Sequence, residues 1–463
     1  MILLGVLLLL ATLSSYGEES LLSSNQAAYD GTQLTLKGEV LLDHGLGKIY
    51  AEEAILKKQE LGMEFPFSQI DLRKSVLFQL CKGEELSCDH AILDFNALQG
   101  LLTSSQLVTY TGTLHRGKEK LPFKLQGQTI ELLLKKEPSP KESVTKPLKE
   151  HFNIQEMKVK EHVQLSFGEG YLFSSDAISY EKYSNTSSSL RSSGKALTTF
   201  NCTGDQIEAE YFQIVEGVVS MKKPRGNLFS LSREMLFFQA EELIWENFNE
   251  LLTLKGKIFI EEPFLGTFTS DNEVSVSRKE GGLAAFKSLG NTTFHDPHHR
   301  LLQSHGTWTF DKFLKSSVIE SPIIEQKVPK ELQLYYEEGN FGMYANQAQV
   351  DYAEEKGVLK PISIAVKGGI QFFSLPKEEL SRFGLADHLR YHPTTQTMIL
   401  LADPPNKVLL IDQREKVSLS AQEIHITRDS VTEREMIKGI GNVRFLLTAE
   451  EQLKLKHYFP HGF

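Results

Sequence analysis

Four histidines and an aspartate cluster between His295 and His305, with His298, His299 and Asp296 between them. Imidazoles so spaced could hold zinc with one coordination position left open. Pro297 shapes a turn in their midst, and the sequence favours a solvated loop between strands over a metal centre. Cys81 and Cys88 flank the turn-like run Lys82-Gly83-Glu84-Glu85-Leu86-Ser87. In an exported chain they are a disulfide candidate, with two half-buried thiols on neighbouring strands as the alternative. Cys202 has no evident partner. Adjacent acids such as Glu52-Glu53 and Glu241-Glu242 resemble a glycosidase pair, yet they recur within one repeated phrase. A catalytic pair occurs once, so these acids read as strand-edge caps facing water. The phosphate-loop pattern, the nucleophile elbow and HExxH are absent, and Gly168-Glu169-Gly170 and Gly439-Ile440-Gly441 lack the third glycine of a dinucleotide site. The expectation is a protein without catalytic residues, metal or cofactor.

What must be positioned, then, is a repeat. A small residue, an acid or amide and an apolar strand recur at Ala51-Glu52, Cys88-Asp89, Gly127-Gln128, Ser175-Asp176, Ala209-Glu210, Ala240-Glu241, Ser270-Asp271, Ala345-Asn346, Ala386-Asp387 and Ala421-Gln422. Spacing of this kind marks stacked supersecondary units, each unable to bury its apolar face alone. A second phrase, Leu34-Thr35-Leu36-Lys37-Gly38, returns letter for letter as Leu252-Thr253-Leu254-Lys255-Gly256. Alternation follows both copies, with Val40 and Leu42 in one and Ile258 and Ile260 in the other, as in half-buried strands. The glycine predicts a bend or bulge where the sheet changes direction.

The 463 residues exceed one ordinary core. Fifty basic residues against 60 acids, a net charge of -10, and no basic run argue against nucleic acid as a partner. Met1 to Leu13 is apolar and Ser15-Tyr16-Gly17 supplies small residues, which reads as a secretory signal over 1–17 and export to the periplasm. The run rich in Pro, Ser and charge from Lys135 predicts a linker over 135–150, and Pro322 and Pro329 suggest a boundary near 325. The expected pieces are therefore 18–134, 151–325 and 326–463. Helical signal is confined to Lys377–His388 and Glu150–Glu156, and the remainder reads as strand and turn.

Asp30-Gly31-Thr32-Gln33-Leu34-Thr35-Leu36-Lys37-Gly38-Glu39-Val40, followed by Ile49-Tyr50-Ala51-Glu52-Glu53-Ala54, resembles the OstA/LptA family of periplasmic lipopolysaccharide-transport proteins. Similar copies run over Val159–Tyr180, Leu252–Val276, Val366–Phe372 and Val408–Ile426. The resemblance implies an all-β fold, an open β-roll or β-jellyroll ("β-taco") of tandem antiparallel units whose apolar groove holds acyl chains. It further implies lipopolysaccharide or lipid A as ligand, end-to-end stacking on other transport proteins through β-edges, and association with the outer membrane. The sequence is longer than the bridging protein of that family, and a C-terminal barrel like the translocon's is not expected within it. Parity makes Leu36, Val40, Leu42, Ile258, Ile260 and Phe372 the expected groove lining. The competing functions are an exported β-solenoid enzyme acting on carbohydrate and a scaffold that binds β-edges.

Overall fold

A computed structural model describes residues 22–58, 67–80, 83–116, 119–137, 151–168, 170–184, 187–202, 204–229, 235–246, 251–262, 266–279, 282–297, 299–355, 358–374, 381–428 and 435–460. The expected signal over 1–17 and Cys81 lie outside them. The protein is an all-β repeat of antiparallel strands, divided into two compact units, Met1–Lys222 and Lys223–Phe463. Neither expected boundary coincides with that division. The strands flanking 138–150 are paired, Glu137 opposite His151, and 321–333 joins two strands of one unit.

The first unit opens with two short strands, β1 (Leu22–Ser23) and β2 (Gln26–Tyr29), both paired with β3. A meander follows: β3 (Gln33–His44), β4 (Gly47–Lys58), β5 (Phe67–Leu80), β6 (Glu85–Asp94), β7 (Gln99–Arg116), β8 (Glu119–Glu137), β9 (His151–Phe167) and β10 (Tyr171–Lys182). Every pair along it shifts register midway, as at Lys37/Val40, Arg73/Val76 and Gln126/Thr129. Each strand is thereby two half-strands meeting at a corner. The halves before the corner in β3, β5, β7 and β9 pair with those after it in β4, β6, β8 and β10 as one wall, and the remaining halves form a second wall. From Ser188 onward the halves become separate strands, Ser188–Ser193 and Tyr211–Val215 continuing the first wall, Thr198–Cys202 and Asp205–Ala209 the second.

The repeated phrases are these corners. In β3 the turn is made by Gly38 and Glu39, both at positive φ (75° and 48°), and in the second copy by Gly256 at 64°. The left-handed backbone at Gly256 favours glycine, and an added Cβ there would press on the Glu241 carboxylate and force it to move. The small-acid phrase sits on the facing strand, and its polar side chains hold the next turn. Asp89 accepts the Ser105 N–H (2.7 Å) and hydroxyl (2.6 Å), Asp176 the N–H groups of Lys195 and Ala196, and Asp387 the N–H of Asp403 and the Asn406 amide. In unit two the backbone ladder continues around the bend, with Lys223, Gly256, Gly290 and Ser321 N–H donating to Glu241, Asn272, Gly306 and Asn346 carbonyls at 2.7–2.8 Å. These backbone groups need no water as the chain leaves one wall for the other.

In the second unit, Glu242–Glu246, Leu251–Lys255, Glu273–Lys279, Gly282–Leu289, Thr307–Asp311, Ser316–Glu320 and Gln347–Glu355 build the first wall. Met235–Gln239, Ile258–Glu262, Gly266–Ser270, Thr292–His295, Leu301–Ser304, Leu334–Glu338 and Phe341–Ala345 build the second. The long strands Val358–Ser374 and Arg382–His392 again bend through both. Both expected helical stretches are corrected where they are described: 151–156 and 382–388 lie in the strands His151–Phe167 and Arg382–His392, paired on both sides, while Glu150 and 377–380 lie outside the described residues. Tertiary pairing overrides weak propensity here. Among the described residues the α-helix that forms is α1 (Ala449–Tyr458), set by a Thr448/Glu451 capping box. Leu455 and Phe459 cover the outer side of Phe373, Phe383, Leu409 and Ile411. Among the described residues no helix is long and apolar enough to cross a membrane.

Candidate functional site

Alternation sends one apolar set from each wall toward the other, and rings from opposite walls touch. Phe173 lies 4.6 Å from Phe212 in unit one, and Phe268 and Phe294 lie 5.5 and 5.8 Å from Trp308 in unit two. The space between walls is a filled apolar interior. Leu36, Val40, Leu42, Ile258 and Phe372 are buried in it, whereas Ile260 is only half-buried. Lys37, next to the corner, is exposed and pairs with Glu53 at 3.2 Å.

Opposite the corners, the strand ends form a mouth. In unit one it is shut. Phe152 N–H in the first wall donates to the Gly45 carbonyl in the second (3.2 Å), and the His44 ring packs against Phe95 and Phe152 at 4.6 and 5.4 Å. Further along, Lys182 at the end of β10 reaches Glu84 beside β6, Nζ to Oε1 2.8 Å, with side chains only 15% and 14% exposed. Tyr110 and Phe123 of the second wall pack on Tyr180 of the first at 5.9 and 5.6 Å just inside. Burial first, and the nearby Glu84 carboxylate second, push the Tyr180 hydroxyl up to about 12, so it stays an uncharged phenol.

Unit two differs along its length. At its C-terminal end Arg382 spans the mouth, holding Asp412 in its own wall (2.6 Å) and Glu435 in the other (2.6 Å). Nearer the middle, the inner row of the second wall runs through Ile260, Phe268, Phe294, Leu302 and Tyr336, each opposite the next. All but Phe268 are half-buried, as is Phe286 facing them. The corresponding row of unit one, from Leu42 and Ile49 through Tyr110 and Leu165 to Phe200 and Ile207, is at most 4% exposed. A polar rim stands above the open row: Arg300 Nε donates to Glu338 Oε1 and the Tyr336 hydroxyl to Glu338 Oε2, each at 2.8 Å. On the outward side of the first wall, at the same rim, Leu251, Ala285, Phe310, Leu314 and Val318 line a depression of about 490 Å³.

The histidines do not converge. His295 ends one strand at the rim, and His305 lies at the far end of the paired strand, its Nδ1 2.9 Å from Asn291 Oδ1. His299 is an exposed hairpin residue and His298 lies outside the described residues. Among the described residues no group of three His, Cys, Asp or Glu could hold a metal. Cys88 is a free thiol on the inner face opposite Val76, pushed up to about 12 by burial and then by Asp89; its expected partner Cys81 lies outside the described residues. Sequence reasoning missed Phe286, Phe294, Leu302 and the Glu84–Lys182 pair. The phenylalanines carried the right parity, but nothing local reveals that residues 98 positions apart meet. No family model matches the chain, and no curated protein sequence matches it.

Proposed function

We propose that the protein is a non-enzymatic carrier or bridge for lipid, of the kind used in lipopolysaccharide transport through the periplasm. Acyl chains lie between the walls and polar head groups stay wet at the rim. The half-open apolar row Ile260–Phe294–Leu302 under the Arg300–Glu338 rim carries this reading. An acyl chain that parts the walls there exchanges one apolar contact for another, so little burial is lost on the way in. Affinity then comes from area, at about 25 cal/mol per Å², with no single side chain dominating. The end strand Glu435–Ile440, laddered to Glu423–Arg428 on one side, offers a β-edge to a further transport protein.

The test is capture of labelled lipid A against labelled polysaccharide. Lipid A is retained by the native chain and lost when Phe294→Asp and Leu302→Asp place carboxylates in the row, while Lys287→Asp on the outer face leaves capture intact. Binding of polysaccharide instead, or unchanged lipid capture by well-folded row variants, sinks the carrier reading.

A further inference from the structure

In the second unit the hairpin between Thr307–Asp311 and Ser316–Glu320 ends in Lys312-Phe313-Leu314-Lys315. Large apolar residues at such a tip are normally avoided, yet Phe313 is 64% and Leu314 76% exposed. The turn that presents them is fixed. Asp311 Oδ1 accepts the N–H groups of both (2.8 and 2.9 Å), Lys315 N–H donates to the Lys312 carbonyl, and Lys315 takes the left-handed conformation. Of the nearby acids, Asp311 is engaged by the turn and Glu354 by Lys315 at 3.4 Å. The tip stands at the mouth, and Leu314 also lines the depression at the rim.

We propose that this tip docks the second unit on an anionic lipid surface, with Phe313 and Leu314 entering the head-group layer and Lys312 meeting its charge, joined by Lys315 where lipid phosphate displaces Glu354. Two side chains are far too few for a stable protein interface, which needs about 800 Å² from each partner. They suit shallow interfacial insertion, where apolar burial and a few cations act together. Docking of this kind is independent of whether lipid is also held between the walls, so either idea can fail alone.

Co-sedimentation of the full chain with phosphatidylcholine vesicles, with and without phosphatidylglycerol, tests it. The native protein binds the anionic vesicles more tightly. Phe313→Ser with Leu314→Ser weakens that binding by about tenfold or more. Lys312→Glu with Lys315→Glu abolishes the preference for phosphatidylglycerol. The control pair, Ile323→Ser with Ile324→Ser, alters residues 72% and 52% exposed on the corner side and leaves binding unchanged. Should the tip variants misfold, the Phe313→Trp emission must shift blue on vesicles and be quenched by brominated lipid. Native-like vesicle binding by folded tip variants, equal loss in the control, or no vesicle binding by the native chain overturns the proposal. So does a native dimer that the tip variants dissolve, which would make the tip a contact between copies.

Discussion

The two copies of Leu-Thr-Leu-Lys-Gly start identical corners and end differently. Two residues past the glycine, Val40 and Ile258 are equally sealed, 1% and 2% exposed. Four residues past it, Leu42 remains buried while Ile260 is half-open. The corner therefore behaves the same in both copies, and the mouth determines what each rung can do. In unit one, His44, Phe95, Phe152 and the Glu84–Lys182 pair close the walls over Leu42 and its row. In the middle of unit two the rim is polar and the row beneath it reaches solvent. A common fold thus yields a fully sealed row in one place and a half-exposed apolar row in another.

The largest effects should come from acids placed along these matched positions. Val40→Asp and Ile258→Asp each bury a carboxylate in a dry interior and should cost about 4 kcal/mol or more. Leu42→Asp should approach that cost, but Ile260→Asp only about 1–2 kcal/mol, since its charge can reach water. Lys37→Asp, on the exposed side of the same corner, should change little. Denaturant melts give the ranking, and equal losses at 42 and 260 would erase the distinction between the two mouths.

A middle-sized effect is expected at the bolt of unit one. Lys182→Met leaves Glu84 uncompensated and should cost about 2–3 kcal/mol, with hydrogen exchange of the Phe152 amide accelerated. The exchanged pair Glu84→Lys with Lys182→Glu should recover part of the loss. If exchange near Phe152 stays slow in Lys182→Met, the closure rests on the aromatic contacts alone.

Smallest is the acid response at the C-terminal end of unit two. Burial acts to raise the Asp412 carboxyl, but the Glu415 N–H, the Arg382 guanidinium and the Arg414 N–H together hold it below its ordinary 3.8. Its contribution is present above that unfolded value and disappears as pH falls through the lower folded one. Amides of Arg414 and Glu415 should therefore exchange faster only under strongly acidic conditions, and Asp412→Asn should flatten that dependence. Loosening that begins near neutral pH would point to another group.

Much of the fold was legible because its signals are local. The glycine and the small-acid phrase mark corners by backbone need, and parity told inner from outer face at Leu36, Val40, Leu42, Ile258 and Phe372. The α1 start was equally local, as Thr448-x-x-Glu451 spells a capping box, yet the charged residues that follow concealed it. The mouths were illegible. They depend on long-range pairs that no window of sequence contains: Gly45 with Phe152, Glu84 with Lys182, Arg382 with Glu435. The expected boundaries over 135–150 and near 325 do not fall at the division after Lys222, which no shift in composition marks.

The corner also bears on how such a chain can lengthen. In unit two, successive bends are joined by backbone hydrogen bonds, as from Gly256 N–H to the Asn272 carbonyl and from Gly290 N–H to the Gly306 carbonyl. An inserted hairpin that carries its own glycine and its own acid would bring both halves of that handshake with it. Growth by duplication then needs no redesign of neighbouring rungs, and the literal recurrence of Leu-Thr-Leu-Lys-Gly is what such accretion would leave behind.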